Sequence, residues 1–184
     1  MSDLVGRFHA HVYIEYSENL PRVKGWKQTR IELVKGDRSQ KDLMFTRHFQ
    51  VPSRRNPDFA TVQKRVIDFS NKLRQEVLRV KIEHQEFKTL PISPENYREY
   101  HYLFLRSSED SLPPILEGWV LSRNLDNTDP KLLFYNKRVR HGNIKEQDAK
   151  AFNEAMSLEG VSLEGFKEET VVYDSNPDMD SWWA

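Results

Sequence analysis

The chain has 184 residues, enough for one domain with a sizeable core or for two small fused halves. Its 38% hydrophobic content, with ten Phe, seven Tyr and four Trp, excludes a disordered chain. It contains no cysteine, which excludes disulfides, thiolate metal ligands and cysteine nucleophiles. No apolar run follows Met1 or approaches the length of a membrane span, so we expect a soluble, cytoplasmic protein without membrane contact.

The net charge of zero hides an asymmetry between the two halves of the chain. Residues 1–92 carry 18 Lys and Arg against 11 Asp and Glu, so their net charge is 18 − 11 = +7. Residues 93–184 carry 10 against 17, which gives −7. The basic half could hold phosphate or nucleic acid. Alternatively, the halves attract each other, and the balanced total favours this second interpretation slightly.

The first half alternates apolar and polar residues in the manner of β-strands. The pattern predicts strands at residues 7–16, 26–34 and 43–51, a helix from about 57 to about 78, and a strand at 80–87. The helix is indicated by an apolar stripe with helical spacing, which consists of Val62, Val66, Phe69, Leu73 and Val77.

The second half repeats this order of elements after a linker at residues 91–96. Strands are predicted at 98–106, 118–124 and 132–138, a helix at about 144–156, and a last strand at 167–173. Each half therefore reads as strand, strand, strand, helix, strand.

A short motif also occurs twice. Residues 25–30, Gly-Trp-Lys-Gln-Thr-Arg, return at 118–123 as Gly-Trp-Val-Leu-Ser-Arg. A repeated order of elements predicts a pseudo-twofold fold with a cleft between the halves. The separation of matched features drifts from 93 residues at this motif to 83 between Phe69 and Phe152. This drift leaves open whether the chain arose by duplication.

We therefore expect an α+β fold made of two pseudo-repeated β-β-β-α-β halves. These halves would be ferredoxin-like or form a paired module, with a mostly antiparallel sheet and two main helices. One continuous antiparallel sheet with two covering helices is the alternative. The predicted units are a basic half at 1–92, an acidic half at 93–175, and an acidic tail at 176–184 that includes Trp182 and Trp183.

The strongest local signal for chemistry is a pair of histidines in the first strand. Strand alternation places His9 and His11 on one face, about 7 Å apart. Two such imidazoles can ligate Zn or Fe when a carboxylate or third histidine joins them. The candidate third ligands are Glu15, His48 and Glu83.

The six residues 8–13, Phe-His-Ala-His-Val-Tyr, resemble the opening of the DOPA 4,5-dioxygenase family, which are small ferredoxin-like ring-cleaving proteins. That family's later histidine-containing segments have no counterpart in this chain, so neither its iron nor its substrate follows from the resemblance. The alternative interpretation is that His9 and His11 are polar residues on a half-exposed sheet face.

A second candidate pair takes one histidine from each half. His11 and His101 could act as general acid and general base on a phosphoester. This plan is similar to that of the 2H phosphoesterases, which carry two strand-borne His-x-Thr/Ser motifs. Here Tyr13 and Leu103 stand where those hydroxyl residues would be. His101 also lies among aromatic and aliphatic residues, where a histidine is often part of the core.

A third candidate is the arginine that follows each repeated tryptophan. Arg30 and Arg123 could bind a carboxylate or phosphate bidentately, with Trp26 and Glu83 in the same cleft. Alternatively, these arginines pair with strand carboxylates such as Glu32 or Glu83.

Three functions remain open at this stage. The first is a cleft on the polar sheet face that binds a small anionic ligand, lined by the candidates above. If it is catalytic, it would be a dioxygenase-like metal enzyme or a phosphoesterase. The second is a non-catalytic module that joins a protein partner through the charge split and Trp182 and Trp183. The third is RNA or DNA binding by the basic half.

Overall fold

The structure is a computed structural model that describes residues 4–19, 22–35, 38–49, 57–85, 96–108, 116–140, 150, 152–154, 157 and 161–179. Its named elements, in chain order, are β1 (Phe8–Glu15), β2 (Lys27–Lys35), β3 (Arg38–Phe49), α1 (Phe59–Ser70), β4 (Val77–His84), β5 (Tyr97–Arg106), β6 (Val120–Asn124), β7 (Leu132–Val139) and β8 (Val161–Asp174). Trp182 and Trp183 lie outside the described residues.

The eight strands close into one antiparallel barrel. Their order around the wall is β1-β3-β2-β6-β7-β5-β8-β4. Two seams join the halves of the chain, because β2 pairs with β6 and β4 pairs with β8. The two halves therefore enclose a single shared lumen.

The closed barrel shows that the expected α+β fold is wrong. Strands make up 56% of the structure and helix 12%, and no open, ferredoxin-like sheet with two main helices is present in the described part. Hydrophobic periodicity identifies the face of each strand, but it does not encode which distant strand edges pair. Here each half completes its sheet with strands of the other half. The predicted helix at 144–156 falls mostly outside the described residues, although residues 152–154 are helical.

The individual elements follow the predicted order, with different limits. Helix α1 is shorter than predicted, because Val77 begins β4 instead of extending the helical stripe. Asp58 caps the helix and accepts a 2.7 Å hydrogen bond from the backbone N–H of Thr61.

Among the described residues, no helix is both long enough and apolar enough to cross a membrane.

The main hydrophobic core lies outside the barrel wall, beneath α1. Helix α1 contacts β1 and β4, and its Val62 and Val66 are fully buried. The apolar face of β1 belongs to the same cluster and consists of Phe8, Ala10, Val12 and Ile14. A second cluster covers the other half and consists of Phe104, Trp119, Leu133, Tyr135 and Phe152.

The repeated Gly-Trp motif contributes to these outer cores. Trp26 stacks on Phe69 with ring centroids 3.9 Å apart, and Trp119 stacks on Phe152 at 4.9 Å. The glycine before each tryptophan has a positive φ, of 82° in the first copy and 68° in the second. This backbone conformation favours glycine because it has no Cβ. The motif thus fixes how each half packs against the outside of the barrel.

The position of the core predicts which face of β1 supports folding. Phe8→Ala should lower the free energy of unfolding by about 3–5 kcal/mol, because Phe8 is fully buried against Phe59 and His84. Leu163→Ala is the matched control, since Leu163 is 55% exposed, and it should change stability by less than about 0.5 kcal/mol. Urea unfolding measures both. Equal losses would contradict an outer core under α1.

Candidate functional site

The lumen of the barrel is a cavity of about 530 Å³, lined by both titratable and apolar side chains. Because side chains alternate along a strand, the residues between those of the outer core point inward. The titratable lining is provided mainly by β1, β4, β5 and β8, and includes His9, His11, Arg79, Lys81, Glu83, Glu99, His101 and Glu169.

His9, His11 and Glu83 meet in this lumen. Register places His9 opposite Glu83 in the ladder between β1 and β4, and His11 lies one inward position further along. Glu83 Oε2 is 3.2 Å from His9 Nδ1 and 3.2 Å from His11 Nε2. All three residues are buried, and one ligand atom from each lies within 4.8 Å of the others. The structure thus joins the predicted histidine pair to one of its predicted third ligands.

The two imidazoles differ in their hydrogen bonding. His11 Nδ1 lies 3.0 Å from Thr46 Oγ1, so this nitrogen has a partner that leaves Nε2 facing Glu83. Within the described structure, neither ring nitrogen of His9 makes a hydrogen bond of good geometry, but Nδ1 lies 3.2 Å from Glu83 Oε2 and 3.5 Å from Glu169 Oε1. His9 therefore faces two carboxylates, a setting that favours a positive charge at this position.

Lys81 keeps the carboxyl of Glu83 charged. Burial alone would raise the pKa of Glu83, but Lys81 and His11 outweigh it and hold that pKa well below its usual range. Lys81 Nζ is 2.8 Å from Glu83 Oε1 and 2.5 Å from Glu99 Oε2. These two carboxylates raise the pKa of Lys81 well above its usual value despite its burial. Glu83 Oε1 thus pairs with Lys81, and Glu83 Oε2 faces the two histidines.

Burial and charge act differently on the histidines. Burial lowers the pKa of His11 and outweighs the opposing attraction of Glu83. Burial also opposes protonation of His9, but the carboxylates of Glu169 and Glu83 reverse this effect and raise its pKa. His48 stacks on His9 with ring centroids 4.0 Å apart, and burial followed by repulsion from His9 lowers the pKa of His48.

A second histidine cluster lines the same cavity. Asn136 Nδ2 donates to the backbone oxygen of Val120 at 3.0 Å, which turns its Oδ1 toward His101 Nδ1, 2.7 Å away. His101 Nδ1 must therefore carry the donated hydrogen. His101 Nε2 lies 3.2 Å from Glu169 Oε2, and this carboxylate raises the pKa of His101 against the effect of burial. The arrangement favours an imidazolium at His101.

The two clusters occupy matching positions in the halves. In each cluster the histidine pairs with one residue on each of its two neighbouring strands. Its Nδ1 faces the side chain of the first of these residues. Its Nε2 faces a glutamate that lies two residues after the second, which is a lysine. The matched sets are His11, Thr46, Lys81 and Glu83 in the first half and His101, Asn136, Lys167 and Glu169 in the second.

The clusters differ at the position of His9, which Glu99 occupies in the second half. Glu99 is already engaged by Lys81 at 2.5 Å and by Arg138 at 3.2 Å. Burial raises the pKa of Glu99, but these cations lower it well below its usual value. Among the described residues, therefore, only the first half presents two imidazoles beside a carboxylate.

Other predicted site residues lie elsewhere. Arg30 is at the surface, where its Nε is 2.5 Å from Asp126 Oδ1. Arg123 lies at the margin of the cavity and pairs with Glu32 at 2.5 Å, as the alternative interpretation expected. The structure does not bring Arg30 to the histidines, and Trp26 is in the outer core.

Two other candidate third ligands also fall outside the cluster. Glu15 is exposed at the end of β1 and is not part of the cavity lining. His48 lines the cavity but stacks on His9 instead of joining the group of ligand atoms.

Sequence reasoning missed Glu99, Glu169, Thr46 and Asn136. A signal for Glu169 was present, because Lys81-Ile82-Glu83 recurs as Lys167-Glu168-Glu169. Lys and Glu at this spacing share one face of a strand. Thr46 and Asn136 carry no such signal, since their importance depends on strand pairing.

Comparisons with known protein families, with characterised proteins and with solved structures find no match to this chain. The site must therefore be interpreted from its own geometry and chemistry.

A buried ion pair lies near the terminal residues of β4, β5 and β8. Arg79 Nη2 is 2.5 Å from Asp174 Oδ2 and 2.5 Å from the Tyr97 hydroxyl, which itself donates to Asp174. Burial raises the pKa of Asp174, but the hydrogen bond and charge of Arg79 outweigh this effect and lower it. Asp174 is therefore ionised in the folded protein at neutral pH.

Asp174→Asn should destabilise the protein by about 3 kcal/mol at pH 7, because it leaves the buried Arg79 without its closest carboxylate. A depressed pKa contributes stability above the unfolded-state value near 4 and loses it as pH falls through the folded-state value. The difference between wild type and variant should therefore shrink below about pH 4. Urea unfolding at several pH values measures this difference.

Asp178→Asn is the control for this experiment. Asp178 is 84% exposed and pairs with Arg140 at 3.7 Å, so its loss should have almost no effect. A constant difference between wild type and Asp174→Asn at every pH would contradict the assignment.

Proposed function

We propose that the protein is a metal-dependent enzyme that holds one divalent transition-metal ion on His9, His11 and Glu83. The ion would bind and polarise a small anionic ligand inside the barrel. The observation that carries this proposal is the convergence of three buried donor groups, two imidazoles and a carboxylate, on one side of a cavity.

The donor set supports this assignment. Two imidazoles and one carboxylate are typical of catalytic zinc sites with an open position and of non-haem iron sites. Ligand atoms about 2.1 Å from a common ion are about 3.0–3.4 Å apart at angles of 90–109°. The distances from Glu83 Oε2 to His9 Nδ1 and to His11 Nε2 are both 3.2 Å. These two distances already suit a shared ion, and the ligand nitrogens of His9 and His11, which lie within 4.8 Å of each other, would adjust on binding.

The neighbours of the donors suit a metal site as well. Thr46 Oγ1 contacts His11 Nδ1, which would orient Nε2 toward the ion. Lys81 pairs with the second oxygen of Glu83. Partners of this kind fix the orientation of metal ligands and tune their basicity. Glu83 would bind through one oxygen, which leaves coordination positions open toward the cavity.

The charge of the lumen also favours a cation. Within the described lining of the cavity, four buried carboxylates face two buried permanent cations: Asp42, Glu83, Glu99 and Glu169 against Arg79 and Lys81. A divalent ion would balance this excess. Three further cations line the cavity at solvent-exposed positions, where they would attract an anionic ligand, and they are Lys27, Arg123 and Lys167.

We assign different roles to His11 and His101, which the sequence suggested as an acid–base pair. His11 would be a metal ligand, and His101 would be the proton donor to the bound ligand, because Asn136 and Glu169 hold it as an imidazolium. His9 and His101 both contact Glu169, so this acid would lie near the ion. An acid close to a polarising ion favours metal-assisted acid–base chemistry over oxidation.

The metal assignment predicts one Zn²⁺ or Co²⁺ ion per chain in isothermal titration calorimetry. His11→Gln should weaken binding by more than about 100-fold, since even the loss of an outer-shell partner commonly costs about 10–100-fold. His48→Gln should stay within a few-fold of wild type, because His48 stacks on His9 without belonging to the donor set. Thermal melts establish that each variant is folded.

The visible spectrum of the Co²⁺-loaded wild type gives a second test that needs no substitution. Intense visible absorption bands would indicate a tetrahedral site, the geometry typical of such ligand sets. A folded wild type that binds no ion stoichiometrically, or equal losses in the two variants, would contradict the proposal.

A further inference from the structure

The lumen has an apolar side that the metal site does not use. One row of inward positions crosses β5, β7, β6 and β2, because Leu103 pairs with Phe134, Phe134 with Ser122, and Ser122 with Leu33. Ile31 lies one inward position from Leu33 on β2. We call Ile31, Leu33, Leu103 and Phe134 the apolar wall, and all four line the cavity.

The apolar wall is separate from the outer hydrophobic cores. Ile31, Leu103 and Phe134 are only partly buried and belong to neither of the two large core clusters or the residues packed against them. Leu33 packs on Val120 and also reaches the cavity. These side chains therefore present apolar surface to the lumen. Covering such surface is favourable by about 25 cal/mol per Å².

The order of strands places the apolar wall across the lumen from the metal donors. His9, His11 and Glu83 lie on the neighbouring strands β1 and β4, whereas three of the four wall residues lie on β2 and β7, and Leu103 lies on β5. A ligand in this cavity thus meets charged and metal-binding groups on one side and aliphatic and aromatic groups on the other. A cavity of about 530 Å³ is large enough for an organic molecule.

Charge favours an anionic head group at the metal, and the apolar wall distinguishes between classes of anion. A divalent ion would offset the excess of four buried carboxylates over two buried permanent cations in the lining. The imidazolium of His101 and the exposed cations Lys27, Arg123 and Lys167 would then attract an anion. Inorganic phosphate has no apolar part and would not cover the apolar wall.

We propose that the ligand is an organic carboxylate with an aliphatic or aryl body, whose head binds at the metal and whose body packs against the apolar wall. This inference rests on the proposed metal site and names the ligand class for it. The carboxylate head would be recognised at the metal. Contact between the apolar body and the apolar wall would supply most of the affinity.

The test titrates the Zn²⁺-loaded full chain with acetate, butyrate, hexanoate and inorganic phosphate in a calorimeter. Affinity should rise about fourfold for each added CH₂, because burying a methylene is worth about 0.8 kcal/mol. Hexanoate should therefore bind about 250-fold more tightly than acetate, and more tightly than phosphate. Equal affinity along the series, or preference for phosphate, would overturn the inference.

Leu103→Asn tests the apolar wall directly. It should reduce the gain per methylene to about twofold or less, since the polar amide removes apolar contact at similar volume. Leu163→Asn, on the exposed outer surface, should leave the wild-type series unchanged. If Leu103→Asn does not fold, the wild-type series alone decides the outcome.

The two proposals fail in different ways. If the wild type binds no Zn²⁺, the proposed function is wrong and the ligand assignment falls with it. If it binds one Zn²⁺ but shows no dependence on carboxylate chain length, the metal site stands and the ligand class is wrong.

Discussion

A charge buried in the barrel needs an opposite charge or a hydrogen-bond partner, and this constraint organises the lumen. Strand alternation places apolar side chains under the outer helix and sends titratable ones inward. Once inside, each must be compensated, because an unpaired buried charge costs several kcal/mol. Lys81 lies between Glu83 and Glu99 at 2.8 and 2.5 Å, and Arg79 pairs with Asp174. The interior is therefore a connected network in which few groups remain available.

The groups that remain available define the site. His9 makes no hydrogen bond of good geometry among the described residues, and one oxygen of Glu83 lies 3.2 Å from both His9 Nδ1 and His11 Nε2. In the second half, Glu99 replaces His9 and is engaged by two cations. This difference makes the two matching clusters unequal as metal sites. One becomes a candidate metal centre, and the other, at His101, a candidate proton donor.

The sequence predicted local features well and long-range pairing poorly. Alternation in the first strand placed His9 and His11 on one face, and the order of strands was as predicted. Closure of the barrel was not predicted, because the pairings of β2 with β6 and of β4 with β8 join strands far apart in the chain. For the same reason Asp126 was not predicted as the partner of Arg30, and Thr46 and Asn136 were not predicted as partners of the histidines.

The most direct test of the metal site is anomalous diffraction from crystals grown with Zn²⁺ and measured on both sides of the zinc absorption edge. The account predicts one strong peak in the lumen, about 2.0–2.2 Å from a nitrogen of His9, a nitrogen of His11 and an oxygen of Glu83. A lumen without a peak, or a peak bound only by surface residues, would contradict it.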